Sequence, residues 1–567
     1  MSERRVPPSS NTAADGSSSS RLSLLLFSFL AIALIWVGRL VYLQVIKATE
    51  YSEAAAASRT IDVDIPAHRG TIYDRNGNVL ATSVDATTVY ANPKEVEDVS
   101  TTAAALADEL GGSADDYRDL LQKDTTFVYL KRKADVDAAD ALKEQGLAGI
   151  YFIDDTKRVY PYGKVAGQVL GFVDVDGNGV SGLELYYDDI LSGTPGKLVM
   201  QRGGSGMSIP GGTEVDEPAQ DGQDIVISID IDMQSYLEKR LAEGVEEIGG
   251  EDGSAVLMDA STGDLLAIAS TPYFDPTDPS GSEVGSDSLK AVTQAYEPGS
   301  IFKTVSMTAM LEAGVVTPDT TVYAPAGLAA DEYVITDAHE RGDMTMTARY
   351  VMQESSNVGI SLLVENHLGF PPLYDKIVSY GLNDATGVDY PGEASGYLAS
   401  SVESWSQILK YNVTFGQGIS VTPLQMTRFY GALVNDGAAC TPHLLLSKPQ
   451  SQETVTYEQE KIIDDDAIEP MVSMLETVVE EGTGTGAAID GYTVAGKTGT
   501  AEYVDEETGQ YAKSSYNLDF VGVLPDASTP LVCFVGVNHV PYERNTTAVF
   551  RDIMSEAITR YRVVQSD

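Results

Sequence analysis

The segment Tyr296 to Leu311, YEPGSIFKTVSMTAML, puts a hydroxyl and an amine on one face of a helix start. Pro298 and Gly299 mark where that helix begins. Residues i and i+3 share a helix face, so the amine of Lys303 can reach the hydroxyl of Ser300. A serine hydroxyl is a poor nucleophile at neutral pH and needs an adjacent base. A lysine can serve only when it is uncharged, and burial or a neighbouring cation lowers its pKa. In isolation the same spacing describes an N-capping serine beside a solvated lysine. The rest of the chain tips the balance. This is its one S-x-x-K, and VAGKTGTAEY holds its one K-T-G, Lys497-Thr498-Gly499, followed by Thr500. That segment ends an apolar run, where a strand edge can face a pocket. Between the two lies ESSNVGIS, with Ser355 and Asn357 in S-x-N spacing. Alone this third pattern means nothing, because Ser9–Asn11 and Ser515–Asn517 also fit it.

A chain of 567 residues needs two or three domains to position such segments. Net charge is −47, with 37 basic against 84 acidic residues, which excludes a nucleic-acid partner. The acids are spread among apolar runs and read as a solvated surface, the pairs at Glu480–Glu481 and Asp464–Asp466 included. Two cysteines, Cys440 and Cys533, make no disulfide framework, and five histidines in no paired spacing make no zinc site. No metal and no cofactor is expected. DVDGNGVSGLE (Asp174 to Glu184) comes near a calcium loop, but Glu184 stands one residue early for the bidentate ligand.

Residues 1–20 have the Ser-, Pro- and Ala-rich composition of an unfolded tail. LSLLLFSFLAIALIWVGRLVYLQV, Leu22 to Val45, follows as a membrane span whose Arg39 can snorkel. Arg4, Arg5 and Arg21 precede it, so the N-terminus is expected in the cytoplasm and the rest outside. The residues after Val37 lack the small-x-small site of a cleaved signal peptide, which favours an uncleaved anchor. Beyond it, IDVDIPAHRGTIYDRNGNVLAT reads as extended runs around an Asn76-Gly77 turn, and QRGGSGMSIPGG as a boundary or extended hairpin. IVISIDIDMQSYLEKRLAEGVEE gives a strand and an amphipathic helix, and GSAVLMDASTGDLLAIAST a β-hairpin. Helical patterns fill Ile301 to about Asn435. Strands return in YTVAGKTGTAEY, LDFVGVLP and PLVCFVGVNHV before a last helix, Thr547 to Tyr561. Strands, then helices, then strands and a helix predict an α+β fold with an antiparallel sheet.

In chain order, S-x-x-K, S-x-N and K-T-G resemble the motifs of penicillin-binding proteins and serine β-lactamases. HRGTIYDRNGNVLA (His68 to Ala81) is similar to the R-G-x-I-x-D-R-x-G segment of class B penicillin-binding proteins. RVYPYGKVAGQVLGFV and GNGVSGLELYYDDILSGTPG (Arg158 to Gly196) resemble that class's pedestal, and FGQGISVTPLQMTRFYGALVNDG (Phe415 to Gly437) its transpeptidase domain. The wording is closer to septal, division-type members, and no segment has room for a glycosyltransferase domain. His68 stands where many members have proline, and LDFVGVLP replaces a commoner aromatic-Phe wording.

The resemblance implies a single transmembrane helix (22–45), an elongated, dimerisation-like pedestal (46–222) and a transpeptidase domain (223–567), after a cytoplasmic tail (1–21). It implies a D,D-transpeptidase that cross-links peptidoglycan stem peptides and is acylated by β-lactams. Ser300 would attack the penultimate D-alanine, and Lys303 would take its proton. Ser355 would relay a proton, and Asn357 would bind the substrate amide and help hold Lys303. Lys497 and Thr498 would meet the substrate carboxylate, Gly499 would let the substrate lie on the strand, and the N–H groups of Ser300 and Thr500 would form the oxyanion hole. It also implies a polytopic lipid II polymerase and division proteins as partners. A D,D-carboxypeptidase or β-lactamase would carry the same motifs. A non-catalytic β-lactam-binding scaffold or sensor would need a signalling domain for which the short N-terminal tail leaves no room.

Overall fold

The computed structural model describes residues 16–48, 51, 60–202, 208–451, 453–505, 510–541 and 544–565. Contacts divide the chain into two compact units, Met1–Ile65 with Pro195–Ala219, and Pro66–Thr194 with Gln220–Asp567. In the first, helix α1 (Gly16–Val41) runs on into a wider helical turn, Tyr42–Ile46. Within it Leu22–Ile46 is long and apolar enough to cross a bilayer, the one such helix among the described residues. Its side chains are exposed along its length, as a lipid-facing helix requires. The same unit holds a three-stranded antiparallel sheet with Gly196–Arg202 between Thr60–Ile65 and Ser208–Glu217. The Gly-rich stretch is therefore an extended hairpin. Residues 203–207 within that stretch, and 1–15 of the N-terminal segment, lie outside the described residues.

The second unit is built on five antiparallel strands: β1 (Asp252–Asp259), β2 (Leu265–Ser270), β3 (Ala495–Asp505), β4 (Gln510–Val523) and β5 (Leu531–Val540). Their spatial order is β2-β1-β5-β4-β3, which leaves the K-T-G strand β3 at an edge. Helix α2 (Ile231–Ile248) opens on Asp230, whose carboxylate accepts the N–H groups of Asp232 and Met233. It covers one sheet face together with the final helix, burying Leu237 and Leu241 with Leu518, Phe520, Phe550 and Ile553. On the other face α5 (Pro423–Ala432) and α6 (Asp465–Glu480) pack against the strands, and α3 (Lys303–Glu312) and α4 (Asn357–Leu363) join the same side's core, with Val305, Phe429, Met474, Val521 and Phe534 in one cluster. The final helix, α7, spans Thr547–Tyr561.

The helical region between Ile301 and Asn435 also holds three short strand pairs among the described residues, Thr321–Ala324 with Met344–Thr347, Leu328–Ala330 with Tyr333–Ile335 and Tyr397–Leu398 with Ile419–Ser420. Runs this short cannot show a period-two pattern.

The Asn76-Gly77 hairpin is present between Ile72–Tyr73 and Val79–Ala91, with Gly77 at φ +87°. One oxygen of Asp74 accepts the N–H groups of Asn76 and Asn78, each at 2.8 Å, which fixes the turn. Ile72–Tyr73 also pairs in parallel with Ile225–Ile227, which lies beside Leu445–Lys448. One mixed sheet thus runs through strands on both sides of residue 222.

Three segments that carried the family resemblance meet in one buried ion cluster. Arg69 Nε lies 2.5 Å and Arg158 Nε 2.7 Å from the two oxygens of Glu184, which is fully buried. Arg69 also reaches Asp188 at 2.6 Å and the Glu184 carbonyl at 2.6 Å, and Arg158 donates to the Gly70 carbonyl at 2.7 Å. Glu184 is therefore engaged, and Asp174 turns inward to accept the N–H groups of Asp176 and Asn178. Cys440 and Cys533 are separate buried thiols. Glu480, Glu481 and Asp464 to Asp466 face solvent. Removing one member of a buried ion cluster strands its partners, so Glu184→Ala should destabilise the protein by about 3–5 kcal/mol. Thermal or denaturant unfolding of the full chain in detergent measures the loss.

Candidate active site

Ser300 sits in a tight helical turn, Gly299–Phe302, that runs into α3. Gly299 has φ +54°, a conformation that side chains rarely adopt. A methyl group built on it would come within 2.9 Å of the Thr500 carbonyl and 3.0 Å of the Ala501 methyl. The glycine therefore does two things: it allows the turn and lets β3 approach the nucleophile. Every side chain of α3 from Lys303 to Leu311 is buried. Its small hydroxyls find partners inside, Ser306 on the Thr414 carbonyl, Thr308 on the Thr304 carbonyl and Thr304 on Tyr430. The helix carries Lys303 into the interior, where the residue is 0 % exposed.

Lys303 Nζ lies 2.7 Å from Ser300 Oγ, 2.7 Å from the Ser355 carbonyl and 3.1 Å from Ser355 Oγ. Ser355 is in the left-handed region, φ +58°, so that its carbonyl and hydroxyl both turn toward that amine. A non-glycine residue held there stores about 1–3 kcal/mol of strain, the kind of feature that clusters at functional sites. Burial pushes the Lys303 amine well below the ordinary lysine range; the charge of Lys497 pushes the same way, and Asp337 pulls back. Lys497, also 0 % exposed, is lowered to about 7 by burial. Its Nζ lies 3.1 Å from the Thr498 carbonyl and 3.3 Å from Thr498 Oγ1.

The fold thus gathers Ser300, Lys303, Ser355 and the K-T-G strand at one place. Asn357 is adjacent, and its amide donates to the Thr336 carbonyl at 3.1 Å, while the hydrogen bonds of Lys303 go to Ser300 and Ser355. The S-x-N segment is held from a loop that sequence reasoning did not single out. Asp337 accepts the Ser356 hydroxyl at 2.8 Å, the Val358 N–H at 3.0 Å and the Arg341 guanidinium at 2.6 Å. Thr483 is a further missed residue, 2.6 Å from the Thr498 hydroxyl. Neither Asp337 nor Thr483 stands in a periodic segment, and only the fold brings them near the motifs. Gly499 presses on Ile301 and Asp519: a methyl there would sit 3.1 Å from Ile301 Cγ2 and 3.1 Å from Asp519 Cβ.

Chemically the arrangement is a nucleophile beside an amine that burial biases toward its uncharged form, with a second hydroxyl to pass the proton on and an edge strand beside them. Acyl transfer through a serine ester fits these parts.

Comparison with known proteins gives the same picture. Residues 253–555 match the penicillin binding protein transpeptidase domain and residues 64–227 the penicillin-binding protein dimerisation domain. Penicillin-binding protein PbpB of Mycobacterium tuberculosis is 33% identical over 528 residues, 87% of this chain and 77% of that protein. Peptidoglycan D,D-transpeptidase FtsI of Escherichia coli is 32% identical over 533 residues, 92% of this chain and 87% of that protein. Among solved structures, penicillin binding protein 3 from Mycobacterium tuberculosis with aztreonam superposes with a TM-score of 0.69 at 27% identity, covering 89% of this chain and 98% of that one.

A base must shed its own proton before it can accept another. Acylation of Ser300 is therefore switched off as pH falls through the depressed Lys303 pKa. Its rate, followed by mass spectrometry with an activated acyl donor, should level off well below the pH at which an ordinary lysine titrates. An ordinary lysine would leave the rate climbing about tenfold per pH unit through pH 9.

Proposed function

The chain belongs to the class B penicillin-binding proteins, and on that premise we propose that Ser300 is the nucleophile of a serine peptidoglycan D,D-transpeptidase acting in division. The observation that carries this reading is the 2.7 Å approach of a buried lysine amine to Ser300 Oγ. Neutral Lys303 takes the hydroxyl proton as Ser300 attacks the carbonyl of the penultimate D-alanine in a stem peptide. The oxyanion forms against the N–H groups of Ser300 and Thr500, each such donor lowering the barrier by roughly 3 kcal/mol. Ser355 hands the proton to the departing D-alanine, which leaves an ester on Ser300. An amine from a second stem peptide attacks that ester and yields the cross-link, and the serine proton returns.

Lys497 and Thr498 supply the potential for the substrate carboxylate. Asn357 offers its amide to the substrate, and Gly499 leaves room for the peptide to pair along β3. The pedestal function belongs to residues 46–222 and catalysis to residues 223–567, a division supported by the two family matches. The anchor is residues 22–45, with 1–21 in the cytoplasm and the catalytic domain outside; Arg4, Arg5 and Arg21 support that orientation. A polytopic lipid II polymerase and division proteins are the partners of such an enzyme, met through the span and the pedestal.

Carboxypeptidases and β-lactamases share the acylation step and differ in using water to resolve the ester. The test is gel labelling of the full chain with a fluorescent penicillin. Wild type should form a slowly decaying adduct, and Ser300→Ala should neither label nor cross-link stem peptides. A label persisting on the variant would refute the assignment of Ser300, and rapid turnover of penicillin by wild type would favour the β-lactamase.

A further inference from the structure

Asp519 occupies a position that ordinary packing does not account for. It lies on β4 opposite Gly499 of β3 on one side and Gly536 of β5 on the other. Both neighbours lack side chains, and the carboxyl group occupies the space they leave. A methyl on Gly536 would come within 2.6 Å of Asp519 Oδ1. The residue is 1 % exposed, and neither carboxyl oxygen has a hydrogen-bond partner of ordinary geometry. The hydroxyl of Tyr296, four residues before the nucleophile, is buried and equally without such a partner. The two groups are near enough to shift each other's titration. The Tyr296 hydroxyl and the Asp519 carboxyl thus face each other as a poorly aligned buried pair, with no other hydrogen-bond partner among the described residues.

A buried polar group without partners is retained when the strain has a use. We propose that Asp519 is a positioning residue for acylation: its carboxyl group fills the gap between β3 and the Ser300 turn and holds the two in register. The proposal rests on the reading of Ser300 as nucleophile. An ionised carboxylate cannot stay unpaired in this space and must draw in water. Gly499 packs against Ile301 beside this carboxyl, and water drawn in between them would part the two. The N–H groups assigned to the oxyanion hole belong to Ser300 and Thr500, the residues next to those two, so parting them widens the hole. Displacements of about 1 Å at such a site lower rates on the order of a hundredfold.

The groups facing Asp519 are few. Tyr296 comes from the segment before Ser300, with Tyr430 of α5 behind it. β5 presents Gly536 and Phe534. On β3, Lys497 shares the strand face with Gly499, and Asn517 follows on β4 itself. Burial pushes the Asp519 carboxyl up to about 8, opposed by Tyr296. The group is therefore neutral below that pH and charged above it. The active form is the protonated one, and activity that depends on it is lost as pH rises.

The test compares acylation of the full chain by fluorescent penicillin for wild type, Asp519→Asn and Asp519→Ser at pH 7 and pH 9, with thermal midpoints at both. The readout is the ratio of variant to wild-type rate, in which the titrations of Lys303 and Lys497 cancel. An amide cannot ionise, so the Asp519→Asn ratio should rise roughly tenfold from pH 7 to pH 9, the factor by which a group titrating near 8 loses its neutral form. The serine variant should give the same trend and replaces the asparagine one if that fails to fold. A flat ratio in a folded variant overturns the proposal, because a merely structural residue would give one. Loss of labelling by both folded variants at pH 7 also overturns it, since the carboxylate would then be the active form. If wild type does not label, the proposed function itself fails and this inference falls with it.

Discussion

An ammonium group in water is stabilised by hydration that a buried one loses, and Lys303 has lost it. The active centre depends on that removal. Burial is arranged by α3, whose side chains from Lys303 to Leu311 are all buried, its small hydroxyls satisfied inside and the others between Lys303 and Glu312 apolar. The second buried amine, Lys497, adds repulsion that also favours the neutral form. Asp337 works in the opposite sense, and it also holds the S-x-N segment in place. The lysine is therefore poised between a charge that would keep its proton and an environment that strips it away.

Buried charges in this protein are handled in two ways. In the Arg69–Arg158–Glu184 cluster both carboxylate oxygens are engaged by guanidinium groups, and the result is a rigid joint. At Asp519 the oxygens meet no donor of ordinary geometry.

How much of this was legible in the sequence varied with the reach of each signal. The apolar anchor helix, the strand runs LDFVGVLP and PLVCFVGVNHV, and the Asn76-Gly77 turn are local patterns, and each forms the expected element. The Ser300–Lys303 contact follows from helix geometry, and proximity to Ser355 was implied by the motif set. Asp337 and Thr483 escaped because their importance is a long-range contact with no local periodicity. Asp519 stood inside a segment whose wording departs from the family, yet nothing in one dimension shows that glycines flank it on both neighbouring strands. Asn357 was expected beside Lys303; its amide donates to the Thr336 carbonyl instead, because a side chain's direction follows from the local turn.

The mixed sheet that crosses residue 222 has a consequence for any attempt to dissect the molecule. Ile225–Ile227 takes its parallel partner from Ile72–Tyr73. A catalytic fragment starting after residue 222 would carry a naked strand edge, with unpaired amides and carbonyls beside an apolar row. Such an edge invites pairing between copies, so shortened forms of this chain are prone to aggregate unless the hairpin around Asn76 travels with them.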